Sequence, residues 1–481
     1  CRTMTAAAVE AQRIDPALTL HAPPSYQGLG SDSSEQSSSA INNARAVSSV
    51  CFLPTSSYLS SSSLTTEPTA TQQQLHHRSN SHPIEDDDDD DDDVELSFRC
   101  SKLHQSIQET SSFTTTAIPN KESYKLATCH VNGMCYLWDL NQSKIHFQFG
   151  FPQHRKLGLT LQRLANDDDD DGGNNSSLLL YQTRDPRGTV SLHDTNRSMS
   201  ITTEFETNSV TFCAASPCWG DSHLLALPSS QETHVTIRDV RISPAHAPAF
   251  YFHGTGDDLE HSRKYGMLTS LAMSANDAAG GVASNKLAVV CGMENGTAYV
   301  HDLTMPSSGK QQTKSKCVSS LSLGTDPILS LDAAPSHAAN GTKGFVAVAG
   351  LGGDAAELGD VDASEKGRVV IFKSATTTEG EWTTRERARV GIGSDGSLVA
   401  KKAGVSICRL RPRDGRLIAA GWDHRLRIYD RSRAKPLAVL RGHNTGIDTM
   451  DWAPDAQTSG LLATGGSDGV VNVWKCFEAK M

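Results

Sequence analysis

A short pattern that returns seven times constrains this chain more than any other feature. It is apolar–x–apolar–x–Asp, with Lys replacing Asp in two copies. It reads CYLWDL at Cys135–Leu140, VSLHDT at Val190–Thr195, VTIRDV at Val235–Val240 and AYVHDL at Ala298–Leu303. It continues as VVIFKS at Val369–Ser374, LRIYDR at Leu426–Arg431 and VNVWKC at Val471–Cys476. Alternation with a period of two is a strand signal. Taken at Asp139, Asp194, Asp239, Asp302, Lys373, Asp430 and Lys475, the spacing runs from 45 to 71 residues. The lower bound is the informative one, because a four-stranded blade takes about 40–45 residues. Longer intervals then hold the same unit with loop insertions.

Upstream of each copy the anatomy repeats: a strand-like run, a turn, a second run, then a tight turn rich in Gly, Asn or Asp. In the last copy these are GIDTMDWAP, SGLLATGG, SDG and VVNVW. Such runs and turns are hairpin signals, and no long stretch carries helical periodicity. The expectation is an all-β fold, a seven-bladed β-propeller with long disordered acidic insertions.

A seven-bladed ring needs roughly 300 residues, and the chain has 481. The excess falls in polar tracts. Residues 55–122 are rich in Ser, Thr and Asp and include Asp86–Asp93, and residues 165–177 hold a second Asp run. Neither tract has the apolar surface to offset chain entropy, so both are expected to be disordered, as are residues 1–15. Net charge is −11, but the two runs carry 13 aspartates, so the rest of the chain is near neutral. An acidic run serves as a solvated spacer or as a tract for basic partners. The 11 cysteines follow no framework, as in an intracellular protein with reduced thiols. No apolar run approaches the roughly 20 residues of a membrane helix, so no membrane partner is expected.

The last copy stops at its third strand. ALTLHA (Ala17–Ala22) alternates suitably to supply the missing outer strand, and AVSSVCFLP (Ala46–Pro54) reads as the first strand of blade one. Residues 16–54 are therefore assigned to ring closure and to that first strand. Residues 123–477 hold the remaining blades, with an expanded loop at 350–367. The competing arrangement leaves residues 1–122 wholly disordered.

Arg441–Trp474 resembles a complete WD40 repeat. The resemblance implies a structural hydrogen-bonded chain of His443, Thr464, Asp468 and Trp474. The residue types suit it, since a buried indole N–H needs an acceptor and His can bridge a hydroxyl and a carboxylate. In Leu417–Asp430, Asp423 precedes Tyr429 by the same spacing. There Ala420 stands in for the hydroxyl residue and no Gly-His precedes the repeat, so apolar packing is expected to hold it. Trp422 and Asp423 fall in the turn between second and third strands, which WD40 proteins place on the narrow top face. Trp422, Asp423, His424 and Arg425 form either a packed turn or a partner-binding spot.

Ala403–Leu440, with its Gly-Trp-Asp-His-Arg core followed by Pro-Leu-Ala-Val-Leu, resembles the ASTRA-associated protein 1 family of G-protein β-subunit-like proteins. Lys264–Met273, Met293–Leu303 and Asp326–Asp332 fit its blade order. The resemblance implies a non-enzymatic scaffold of the nucleus and cytoplasm. Its implied partners are the ASTRA complex and the TTT cochaperone subunits, in chromatin regulation and in maturation of phosphatidylinositol-3-kinase-related kinases. The alternative is a substrate receptor of a cullin-RING ubiquitin ligase, read from Tyr429-Asp430-Arg431-Ser432 and Arg238-Asp239-Val240-Arg241.

Catalytic, cofactor and metal sites are not expected. GIGSDG (Gly391–Gly396) matches G-x-G-x-x-G but lacks the helix that would hold a pyrophosphate. Blade six has a basic cast from Lys401, Lys402, Arg409, Arg411, Arg413, Arg416, Arg425, Arg427, Arg431 and Arg433. These are read as solvated edges and turns or as a patch for an acidic partner, without direct nucleic-acid contact. No small-molecule substrate is expected.

Overall fold

The computed structural model describes residues 12–14, 18–21, 46–53, 125–140, 142–150, 158–164, 178–183, 187–195, 200–209, 211–219, 221–242, 250–253, 266–275, 286–304, 314–337, 343–352, 368–376, 382–391, 404–411, 416–430, 436–453 and 460–476. The regular elements among them are strands. The tracts at 55–122 and 165–177, most of 1–15, residues 353–367 of the expanded loop and residues 392–396 of GIGSDG lie outside the described residues.

The chain opens with two short strands, β1 (Gln12–Ile14) and β2 (Leu18–His21), and then builds antiparallel meanders. β3 (Val47–Leu53), β4 (Lys125–His130), β5 (Met134–Asp139) and β6 (Lys144–Gly150) make one four-stranded sheet. β7 (Gly158–Leu164), β8 (Leu178–Thr183), β9 (Thr189–Asp194) and β10 (Ser200–Glu206) make another. An eight-stranded sheet follows. One half is β11 (Ser216–Trp219), β12 (Asp221–Pro228), β13 (His234–Asp239) and β14 (Phe250–His253). The other is β15 (Leu268–Ala275), β16 (Lys286–Met293), β17 (Thr297–Thr304) and β18 (Lys314–Ser322). Among the described residues the halves share a ladder only where β11 and β15 pair in parallel at Cys218–Met273 and Trp219–Ser274; otherwise they pack through a common apolar core.

β19 (Ile328–His337), β20 (Lys343–Leu351), β21 (Arg368–Thr376) and β22 (Trp382–Gly391) form the next sheet, so Gly350 and Leu351 belong to a strand and not to the loop expected at 350–367. β23 (Val405–Leu410), β24 (Leu417–Gly421), β25 (Arg425–Tyr429) and β26 (Pro436–Arg441) form another. β1 adds in parallel to β26, with Gln12, Arg13 and Ile14 opposite Ala438, Val439 and Leu440. This corrects the expectation that 1–15 is unstructured throughout: an outer edge strand offers unpaired amides and carbonyls, and a short extended segment meets them. β27 (Ile447–Trp452), β28 (Leu461–Gly466) and β29 (Val470–Lys475) have β2 as their fourth strand. β2 runs antiparallel to β29, Leu18 opposite Val473 and Thr19 opposite Asn472.

The repeated sequence pattern lies in the third strand of each meander. Neighbouring sheets pack face to face. Val47, Phe52 and Trp138 of the first sheet share a core with Leu461, Ala463 and Val473 of the last. Ile418, Leu426 and Ile428 meet Met450, Leu462 and Trp474. This burial explains why a strand such as β24, LIAAG, is apolar at every position: both its faces are covered. The architecture is an all-β propeller.

The inner strands β3, β7, β11, β15, β19, β23 and β27 line one cavity of about 520 Å³. An innermost strand is a sheet edge, and its free backbone groups need partners. Side chains of the adjacent sheet supply them. Ser49 Oγ donates to Leu161 O at 3.0 Å, and Gln162 Nε2 to Ala215 O at 2.7 Å. Ser270 Oγ donates to Ile328 O at 2.7 Å. Asp332 accepts from Leu410 N at 2.7 Å, and Ser406 Oγ donates to Ile447 O. The circuit closes between last and first sheets, where Val50 N donates to Thr449 Oγ1 at 3.1 Å and Phe52 N to Asp451 Oδ2 at 2.9 Å. Replacing Asp451 by Ala strands the buried Phe52 amide. The expected cost is about 1–3 kcal/mol, read as a lower midpoint in urea-induced unfolding.

Candidate functional site

The tight turns between second and third strands fix the geometry of one face of the ring. Four of them share a construction. Gly133 N donates to His130 O at 2.9 Å, Gly296 N to Met293 O at 3.1 Å, Gly469 N to Gly466 O at 3.1 Å and His424 N to Gly421 O at 3.1 Å. The last residue of each turn has a left-handed backbone, with φ of 83°, 79° and 78° at the glycines and 64° at His424. A turn closed by a left-handed residue is a common hairpin solution, and glycine fills that place without a Cβ penalty. His424 therefore holds a strained conformation at an exposed turn.

In the last sheet the four residues of the expected network come together. Trp474 Nε1 donates to Thr464 Oγ1 at 2.8 Å, and His443 Nε2 meets the same hydroxyl at 2.8 Å. His443 Nδ1 lies 3.9 Å from Asp468 Oδ1, an electrostatic contact longer than a hydrogen bond. Asp468 Oδ1 also accepts from Val470 N at 3.0 Å. Burial pushes the Asp468 carboxyl up, but His443 and the backbone amides of Val470 and Asn444 outweigh it and hold the group below its ordinary value. The first sheet contains part of the same device, which the sequence reading missed. Trp138 Nε1 donates to Thr128 Oγ1 at 3.0 Å. Equal Thr-to-Trp spacing was the available signal.

The sheet of β23–β26 is held differently. Ala419, not Ala420, faces Arg427 in the register where Thr464 faces Asn472. Arg427 is 1% exposed and grips Asp423 with both arms, Nη1 to Oδ1 at 2.9 Å and Nη2 to Oδ2 at 2.7 Å. Apolar packing alone does not hold this repeat. A bidentate ion pair replaces the hydroxyl network, and removing one member of such a buried pair typically costs about 3–5 kcal/mol. Arg427 is thus no part of a solvated basic edge. Arg409 is also turned inward, lining the cavity and donating to Cys408 O at 3.0 Å.

Trp422 is half-buried, and its indole lies on Gly404: a Cβ built there would stand 2.3 Å from Trp422 Cδ2. Its amide donates to Gly404 O at 2.9 Å. Trp422 and Asp423 are therefore packed into the turn, while His424 is exposed and Arg425 half-buried, its Nε 3.9 Å from Asp423. Tyr429, the aromatic of the receptor-like motif, is 1% exposed, and Arg241 folds back on its own Asp239, Nε to Oδ1 at 2.9 Å. Burial pushes the Cys408 and Cys476 thiols up to about 12 and raises those of Cys213 and Cys291 as well, so they stay protonated near neutrality.

Comparison with known proteins bears on the sheet that holds the Trp474 network. Residues 434–475 match the family described as "WD domain, G-beta repeat". The chain carries a WD40 repeat. It resembles guanine nucleotide-binding protein subunit beta-like protein 1 of Mus musculus, at 36% identity over 15% of this chain and 22% of that protein. It likewise resembles ASTRA-associated protein 1 of Schizosaccharomyces pombe, at 34% identity over 16% of this chain and 20% of that protein. The similarity thus spans about a fifth of the length of these relatives. A solved structure, the Cps50 (Swd1) beta-propeller domain of Myceliophteria thermophila, aligns at 14% identity with a TM-score of 0.49, over 73% of this chain and 94% of that one. The fold is of the WD40 type, an all-β propeller, on the strength of its own meanders and the matched repeat.

Two outcomes are expected of this face. Because the Asp468 carboxyl is held below its ordinary value, it contributes stability above the unfolded pKa of about 3.9. That contribution is lost as pH falls through the lower folded value. The stability difference between wild type and Asp468→Asn is therefore level from pH 7 to the top of the carboxylate range and shrinks below it, as followed by thermal unfolding across pH. Second, His424→Gly removes the left-handed penalty, which is about 1–2 kcal/mol, less the entropy cost of glycine. Calorimetry should show an unchanged or higher Tm.

Proposed function

We infer that this chain is a non-enzymatic WD40 scaffold working within an ASTRA- or TTT-type assembly. In this reading it serves chromatin regulation and the maturation of phosphatidylinositol-3-kinase-related kinases, in the nucleus and the cytoplasm. The carrying observation is the resemblance to proteins named ASTRA-associated protein 1, which recurs across several fungal relatives. A propeller is suited to the role: its rigid ring presents loops and turns to several partners at once while the sheets stay fixed. We take the ring as seven-bladed. The eight-stranded sheet counts as two blades in this reading, which the two-residue contact of β11 with β15 supports. Partners are proteins: the TTT cochaperone subunits and the members of an ASTRA-type complex.

The test is purification of the tagged full chain from its own cells, with mass spectrometry of what accompanies it in stoichiometric amount. TTT subunits or a kinase of that family are expected. Recovery of a ubiquitin-ligase adaptor without any cochaperone would overturn the reading.

A further inference from the structure

Among the described residues, only the meander β23–β26 has a further strand added outside its fourth: β1, laid along the outer edge of β26. The sequence of β26 explains why this edge attracts one. The fourth strands β6, β10, β18 and β22 read KIHFQFG, SITTEFE, KSKCVSSLS and WTTRERARVG, with polar residues throughout. β26 reads PLAVLR, with four apolar residues in a row. Such a run on an outer edge, with no charge or proline inside it, is a template for further pairing.

β1 covers only part of that template. Its three residues pair with Ala438, Val439 and Leu440. Leu437 before them is 36% exposed, and Arg441 after them is exposed too. Nor does completion of the last sheet require β1. That task falls to β2, which pairs four residues with β29, buries Leu20 and bonds Thr19 to Asn472. A three-residue ladder holds chiefly because its strand is tethered beside the edge. A strand that pairs along the whole of Leu437–Arg441 makes more ladder bonds and displaces it.

Charge states what the displacing strand should carry. Arg441 stands directly opposite Arg425 in the ladder, and like charges at such positions repel. Arg425 Nε lies 3.9 Å from Asp423, but that carboxylate is already gripped on both oxygens by Arg427. Arg441 has no ion-pair partner among the described residues. Three arginines thus share one carboxylate at this end of the edge. A strand parallel to β26 ends its run beside Arg441, where an acidic residue would relieve the repulsion.

We propose that the outer edge of β26 is a strand-addition site for an extended acidic segment of a partner protein. The segment enters parallel to β26, pairs along Leu437–Arg441 and sets a carboxylate against Arg441 and Arg425. Gln12–Ile14 holds the edge in cis and gives way to it. The site is at the opposite end of its sheet from β23, the strand that lines the cavity, and it does not depend on which assembly the chain joins.

The test titrates a fluorescently labelled peptide copying residues 9–15, VEAQRID, onto the full chain by fluorescence anisotropy. The chain is used as wild type, as Arg13→Pro/Ile14→Pro, and as that variant with Leu437→Lys/Arg441→Glu added. Successive amides of a strand point to opposite sides, so the two prolines remove the pairing amide whichever way β1 faces. The proline variant should bind the peptide roughly tenfold or more tightly than wild type, and the added pair should abolish that gain. An Asp15→Lys peptide should bind roughly tenfold more weakly, and binding of the native peptide should fall with added salt. Hydrogen exchange of the β26 amides should quicken in the proline variant and slow again with peptide. Should that variant not fold, Arg13→Gly/Ile14→Gly loosens β1 in its place. No binding once β1 is disabled, equal binding by wild type, or equal binding of both peptides would overturn the proposal. So would a variant that dimerises and leaves the peptide unbound, which would assign the edge to a second copy of the chain. The titrations decide the edge alone, and the partners recovered from cells decide the scaffold reading alone.

Discussion

Hydrogen bonds between the side chain of one inner strand and the backbone of the next join the sheets of this ring. Apart from β11 and β15, the described sheets share no ladder with their neighbours, so each innermost strand would otherwise present a row of unmatched amides and carbonyls. The hydroxyls of Ser49, Ser270, Ser406 and Thr449 and the carboxylates of Asp332 and Asp451 answer that need. Short polar side chains at these places fix the spacing between sheets as well as satisfying the groups. Glycine then permits the close approach behind them. A Cβ on Gly465 would come within 2.5 Å of Val47, and one on Gly350 within 2.7 Å of Val405.

On this frame the turns are variations of one device. A hydroxyl, an indole and an imidazole hold the last repeat, a hydroxyl and an indole hold the first, and a buried guanidinium with a carboxylate serves the repeat of β23–β26. The three solutions share a logic: a polar side chain inside the sheet must find a partner there, and that partner ties the turn to the strands. The left-handed residue that ends the turn is glycine in three cases and His424 in the fourth. A strained, exposed imidazole sets this side of the ring apart from its buried interior.

Much of the architecture was legible because the third strand of every meander carries alternating apolar residues and ends on a charged one. The Trp474 repeat was legible because its residue types sit at the spacing of a complete unit. Other features were hidden for physical reasons. The Asp423–Arg427 pair was missed because a charged residue in an alternating strand reads as solvent-facing, and only the register opposite Ala419 reveals its burial. Thr128 and Trp138 were passed over because no Gly-His precedes them. The exposure of Leu329 at the cavity comes from a bulge in β19, and a one-residue irregularity leaves no mark on periodicity.

The pairing of β2 with β29 has a consequence for the making of the protein. Thr19 Oγ1 donates to Asn472 Oδ1 across 453 residues of chain. During synthesis β2 leaves the ribosome 453 residues ahead of its partner. While those residues are made β2 has no β29 to pair with, and the sheet it serves does not exist. A sheet assembled in this order forms this contact late, through a very long loop. Until then β2 and the outer edge of β29 are open to strangers, so the nascent propeller is exposed to mispairing at this seam.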